Sequence, residues 1–352
     1  MFVALRDLRF AKGRFALMGA VIVLITLLVG LLSGLTAGLG RQNVSAITDL
    51  PVDRIAFGGA AEELSYSDST VTAAQWRTWA AAPGVVAAEP LGITTTKATT
   101  GSGSAAVSIF GVRPGSALAP DVDDRSAVLS TEAADELGLT TGDTVALAGR
   151  DLTVAAVRGD ASFSHTPVVW TSLATWRHTA PPGAGDATVI ALTTTDADIA
   201  TIDAAAGTRT ATKEESLRAI GSYQSENGSL QLMRGFLFAI SALVIGAFFT
   251  VWTIQRSGDI AVLKALGAPT ATLLRDALGQ AVVLLVAGTL TGTALAAAIG
   301  ALLPDDAIPF LLEPATALTP AATTVLLGAL GAALAVRRIT TVDPLTALGS
   351  AR

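Results

Sequence analysis

Few side chains in this sequence are suited to chemistry. His165 and His178 are the only histidines and there is no cysteine. A metal site needs several ligands at workable spacing. Two histidines, one in a loop and one in a helical stretch, read instead as surface or locally hydrogen-bonded residues. No Gly-Lys-Ser/Thr occurs that could open a phosphate-cradling loop, and there is no His-Glu-x-x-His. Gly101-Ser-Gly-Ser-Ala-Ala106 resembles half of a dinucleotide fingerprint but lacks the strand–turn–helix setting that gives such glycines their use. Leu32-Ser33-Gly34-Leu35 echoes an ATPase signature, yet it lies inside an apolar run. Trp76, Trp79, Trp170 and Trp176 read as packing. These absences describe a non-catalytic chain with no intrinsic cofactor or metal, so any energy it uses comes from a partner.

One stretch has the spacing of a docking element. In Gln255-Arg-Ser-Gly-Asp-Ile-Ala-Val-Leu-Lys-Ala-Leu-Gly-Ala268, Ile260, Leu263 and Leu266 make an apolar stripe at helical spacing with Ala261 and Ala265. Gly267 is placed to end that helix. A short amphipathic helix of this kind either lies in lipid or docks into a groove on a partner.

The elements that hold this loop are membrane spans. Of 352 residues, 51% are hydrophobic and 15% charged, with a mean hydropathy of +0.57. A bilayer core takes about 20 apolar helical residues, and four stretches qualify: 15–39, 235–254, 277–303 and 316–336. The first is about twice a normal signal-peptide core of ~7–15 residues and reads as an uncleaved anchor. Basic residues in the short flanks set the orientation. Arg6, Arg9, Lys12 and Arg14 precede the first span; Arg256, Lys264 and Arg275 lie in the 255–276 loop; Arg337, Arg338 and Arg352 lie in the tail. The 304–315 link has Asp305, Asp306 and Glu313 instead. Both termini (1–14 and 337–352) and the 255–276 loop are therefore expected in the cytoplasm of a multi-pass cell-membrane protein. Gly30, Gly34 and Gly38 in the first span, and Gly288, Gly292, Ala296 and Gly300 in the third, form ridges of small residues that let backbones approach in lipid. Contact within one subunit fits both, and for the first span a contact across a homodimer is favoured.

Between the first two spans, the 191 residues from Arg41 to Gln231 carry 12 Lys and Arg against 22 Asp and Glu. So acidic a block is a poor nucleic-acid binder. Its strand-like runs (Asp53–Phe57, Ala105–Val112, Ser126–Leu129, Thr144–Leu147, Leu152–Val157, Pro167–Trp170 and Ala187–Leu192) alternate with turn signals and with helical patches at Thr72–Ala82, Thr131–Leu137 and Asp196–Ala205. The expected fold class is thus membrane α-helical, four transmembrane helices with a mixed α+β extracytoplasmic domain (40–211) between helices 1 and 2. A polar stalk at 212–234, interrupted around Gly221 and Gly228, leads into the second span.

The 255–268 loop resembles the signature of the FtsX/MacB-like permeases of ABC transporters. Asp343-Pro344-Leu345-x-Ala347-Leu348 is similar to that family's usual ending, and the span order also matches. The resemblance implies that Arg256, Asp259, Ile260, Leu263, Lys264, Leu266 and Gly267 form a coupling helix seated on a separate ABC ATPase, which binds the ATP. Ile25-Thr26, Leu32–Leu39 and Ile220-Gly-Ser-Tyr-Gln-Ser-Glu226 resemble the HrtB/DevC-like haem-exporter branch of the family. That implies a homodimer with two ATPase copies, exporting haem from membrane lipid. For such a cargo Tyr223, Glu226 and Met233 offer groups able to ligate iron, and Arg234 a guanidinium for a propionate. Solvation of Glu226 and lipid contact by Arg234 are the plain alternatives. Two other functions stay open: mechanotransmission to a cell-wall hydrolase, and export of another hydrophobic compound.

Overall fold

The computed structural model describes residues 12–59, 63–101, 103–119, 122–255, 257–303 and 309–337. Expectations resting on Arg256, the Asp259 side chain, residues 1–11, Asp305, Asp306 and the 338–352 tail with its Asp343-Pro344-Leu345 motif lie outside them. The chain divides into two compact units, Leu39–Gly228 and the remainder.

Helix α1 (Lys12–Thr48) enters the first of these units, followed by β1 (Arg54–Gly58), α2 (Ala73–Ala80), β2 (Val85–Thr99), β3 (Ser104–Val112), β4 (Ser126–Leu129) and α3 (Thr131–Leu137). Then come β5 (Thr144–Leu147), β6 (Arg150–Val157), β7 (Ser162–Phe163), β8 (Thr166–Ser172), α4 (Leu173–Thr179), β9 (Val189–Thr194), α5 (Ile199–Ala206), β10 (Thr208–Thr212) and α6 (Lys213–Ser216). The short helices are fixed at their ends. Thr72 and Gln75 form a capping box on α2. Ser130 caps α3, which stops at Gly138 in the left-handed region. Thr212 and Glu215 box α6, and the bonds from Thr212 to the Glu215 carboxylate hold that group below the usual carboxylate range. Each cap satisfies backbone groups that a helix end leaves unpaired.

Strands β10, β1, β9 and β2 pair antiparallel in that order, with α2 and α5 on the two crossovers, a split βαβ arrangement. Strand β2 is shared. It pairs with β9 up to Leu91 and with β3 from Gly92. From there the order β2-β3-β8-β4-β6-β5 closes on itself, because β5 pairs back to β2 at Ala98 and Thr99. Val107, Ile109, Leu129, Leu147, Val154 and Val169 fill this closed sheet. The long β2 is absent from the sequence reading, because Pro90 and the Thr94–Thr96 run hide its alternation. Pro90 lies just before the point where β2 changes partner.

The second unit is built on helices. α1, α7 (Gly221–Gln255), α9 (Thr270–Gly300) and α10 (Pro314–Arg337) are each long and apolar enough to cross a membrane, and the short α8 (Ser257–Ala265) lies between α7 and α9. Leu17, Leu24 and Leu28 lie exposed on α1 at helical spacing, which suits lipid rather than water. The expected interruption around Gly221 is present, at Ile220, whereas the one at Gly228 is absent and α7 runs through it unbroken.

The first-span glycine ridge is a correction. A Cβ on Gly30 would meet Ala296 of α9, one on Gly34 the Phe310 ring, and one on Gly38 the Pro309 carbonyl. Leu311 N–H donates to Gly34 O at 3.0 Å. The ridge favoured for a homodimer contact is filled by its own chain. Gly288 and Gly292 of α9 pack in turn on Ile22 and Val23–Leu27 of α1. Small residues serve here to bring backbones together within one subunit.

Candidate functional site

The site grows from a two-residue hairpin. Ser162-Phe163 and Pro167-Thr166 pair across Ser164 and His165, whose φ values are +50° and +61°. Both central residues of such a turn need positive φ, normally supplied by Gly or Asn. Ser and His adopt it at a cost, and three contacts hold them there. Ser164 N–H donates to Asn43 O at 3.0 Å, His165 N–H donates to Gln42 O at 3.2 Å, and Ser45 Oγ exchanges bonds with Ser162 O and N–H at 3.2 and 2.8 Å. Arg41 adds an ion pair to Asp160 at 3.0 Å, and this guanidinium holds the Asp160 carboxyl below its ordinary value.

So fixed, His165 Nε2 lies 2.7 Å from Glu226 Oε2 in the second turn of α7. Asn43 Nδ2 donates to the same oxygen at 3.2 Å, while Asn43 Oδ1 accepts from Ser222 Oγ at 2.8 Å. Ser222 thereby orients the amide with its NH2 toward the carboxylate. Asn43 Nδ2 also stands 3.1 Å from His165 Nε2; since a carboxylate oxygen accepts, the 2.7 Å contact with Glu226 assigns the His165 hydrogen to Nε2. The result is a clasp of α1, hairpin and α7 around one carboxylate, with both ionisable side chains partly exposed. Among the described residues no three His, Asp or Glu side chains gather in a way that could hold a metal ion.

The residues expected from sequence are dispersed. Glu226 is in the clasp. Tyr223 packs against the core around Ile220 and lines a shallow groove with Glu214, Arg218 and Asn227. Met233 and Arg234 follow on the same helix, in the other unit, with Met233 about half exposed. His165 was read from the sequence as a surface or locally bonded residue; its partner is 61 positions away. Asn43 carried no signal, and Ser222 stood only within the Ile220–Glu226 stretch without a role of its own. His178 is exposed in the last turn of α4.

Helix α8 splits the expected stripe. Ile260 and Ala261 are buried with Trp252, Phe249 and Ala277, whereas Val262, Leu263 and Leu266 are exposed, Leu266 by 79%. Gly267, at φ +89°, ends the helix: its N–H donates to Lys264 O and Ala268 N–H to Leu263 O, both at 3.0 Å. That is the left-handed cap which only Gly adopts freely. One face of α8 is thus anchored and the other offers leucines exposed among the described residues.

The model of the MacB-like periplasmic core domain matches residues 15–209, and that of the FtsX-like permease C-terminal matches residues 232–344. The chain belongs to the FtsX/MacB-like family of ABC transporter permeases. Its relatives include a putative hemin transport system permease protein HrtB of Staphylococcus haemolyticus, 35% identical over 37% of each chain, so the match spans well under half of that relative's length. An uncharacterized ABC transporter permease of Mycobacterium tuberculosis is 24% identical over 99% of each chain. The periplasmic region of MacB from Actinobacillus actinomycetemcomitans aligns over 50% of this chain and 94% of that one, at 14% identity and a TM-score of 0.38. The family's periplasmic core accounts for the α+β unit, and four apolar helices make this permease a multi-pass membrane protein with a large extracytoplasmic domain.

Proposed function

We propose that this permease exports haem from the membrane, as a homodimer with two copies of a separate ATPase that supplies the energy, and that both of its termini are cytoplasmic. The ATPase seats on α8 in this reading, using Leu263 and Leu266 with the neighbouring Arg256, Asp259, Lys264 and Gly267. ATP-driven closure of the ATPases pushes α8 and, through it, α7. Haem is drawn from the outer leaflet and is met along α7 by Tyr223 and Glu226, and by Met233 and Arg234 nearer the span.

The clasp is the observation that carries the haem reading. It sets a carboxylate and an imidazole side by side at the head of α7, and the atoms not spent on their mutual bond, Glu226 Oε1 and His165 Nδ1, remain to ligate iron. The HrtB-named relatives support the same cargo. Titrating haem into the purified permease should shift the Soret band. Glu226→Gln should weaken the apparent affinity at least tenfold, with a smaller loss for Tyr223→Phe, which keeps the ring on the core. An unshifted band in the wild type, alone and with its ATPase, would remove haem as cargo and leave mechanotransmission or another hydrophobic compound.

A further inference from the structure

A cleft of about 590 Å³ opens in the extracytoplasmic unit beside the clasp, a volume in the usual range of small-molecule sites. Buried rings of Tyr66, Phe163 and Trp176 line it, with Ile93, Pro181 and Pro182. Ser67, Thr70, Thr94, Thr95, Ser164 and Ser222 add hydroxyl groups to the lining. Among the described residues no Asp, Glu, Lys, Arg or His lines the cleft, although 22 Asp and Glu lie between Arg41 and Gln231.

This lining selects against several ligand classes. A charged ligand would find no counter-ion, and a wholly apolar one would cover hydroxyls without pairing them. An extended peptide could add to the bare edge of β2, but that edge is open only between Leu91, paired to Val189, and Ala98, paired to Leu147. Within it Ile93 N–H and C=O are both taken by the Thr188 hydroxyl, at 2.8 and 3.2 Å. By strand alternation only Thr95 and Lys97 still face outward, too few to hold a strand.

The hydroxyls that remain offer both donors and acceptors. Trp176 Nε1 donates to Thr94 Oγ1 at 3.2 Å, which leaves the Thr94 proton to give. Ser222 gives its proton to Asn43, so in the 2.8 Å Ser164–Ser222 contact Ser164 is the donor and keeps lone pairs to accept. We propose that the cleft binds an uncharged, polyhydroxylated ligand, a short neutral oligosaccharide. Its pyranose C–H faces would lie against Pro181, Pro182 and Ile93, with the buried rings beneath, and its hydroxyls would exchange bonds with Ser and Thr. Ser164 and Ser222 belong to both cleft and clasp, so an occupant sits one hydrogen bond from Asn43.

The full-length permease in lipid nanodiscs, free of maltoside detergent, would be titrated with chitotriose and maltotriose by calorimetry. Saturable binding of at least one is expected. Ser67→Trp and Thr70→Arg, both at exposed positions, should weaken it at least tenfold while the haem-induced Soret shift stays as in wild type. Ser164→Ala, which removes one acceptor and adds no bulk, guards against misfolding of the larger variants and should weaken binding severalfold. Absence of saturable binding for both sugars, binding indifferent to all three variants, or equal competition by an uncharged tetrapeptide would overturn the proposal. Because haem binding is read separately, the cleft can fail without the export reading failing, and the reverse.

Discussion

Gly92 and Gly111 face each other across β2 and β3, and the Trp176 indole lies over both. Neither glycine is there for its dihedral freedom; each leaves room that a Cβ would take from the ring. Gly111→Val should therefore destabilise the extracytoplasmic unit by about 1–3 kcal/mol through overpacking, seen as a lower Tm of the purified protein. Arg41 and Asp160 give a smaller, pH-dependent effect. The Asp160 carboxyl is lowered by its hydrogen bond and charge partner, so its contribution is complete above the ordinary carboxylate range and disappears as pH falls through the lowered value. The stability gap between wild type and Arg41→Gln should be full at neutral pH, no more than about 1 kcal/mol for so exposed a pair, and closed in strong acid. A gap independent of pH would contradict it. Single residues were unevenly legible. Glu226 stood out as an acid just before an apolar run. His165 did not, because its place depends on a hairpin whose positive φ values fall on Ser and His.

Among elements, the apolar spans were open to reading because lipid demands length and lack of charge, and both survive in a bare sequence. The capped helices α2, α3 and α5 were visible for a similar reason: their signals are local. Strand β2 was hidden, since what makes it a strand is partners on two different sheets. The stripe on α8 was legible, but its division into a buried Ile260 and exposed Leu263 and Leu266 required the neighbouring helices. That division yields a sharp expectation. Leu266→Asp should leave membrane insertion and thermal stability unchanged while abolishing co-purification with the ATPase, whereas Ile260→Asp should lower the Tm. If Leu266→Asp retains the ATPase, α8 is not the seat. Gly267→Ala should cost about 1 kcal/mol of helix-end stability, since alanine must take a left-handed φ.

At the scale of the whole molecule, the family accounts for two units of different chemistry, a hydroxyl-rich α+β domain and a bundle of apolar helices. Their order along the chain was readable, because the charge and hydropathy of the sequence change abruptly near residues 40 and 230. The closed sheet was not, being made by a pairing between β2 and β5 that only the folded chain reveals. The ridge Gly30, Gly34, Gly38 carries the same lesson: the spacing announced close packing, and the fold named Phe310 and Ala296 as the partners. The central claim, export of haem by this permease, is met most directly in proteoliposomes. Permease and ATPase would be reconstituted with haem in the bilayer, and transfer of haem to an external apo-acceptor followed by absorbance. The account predicts ATP-dependent transfer that falls at least tenfold in Glu226→Gln with the ATPase still bound. Transfer unaffected by ATP, or undiminished in Glu226→Gln, would contradict it.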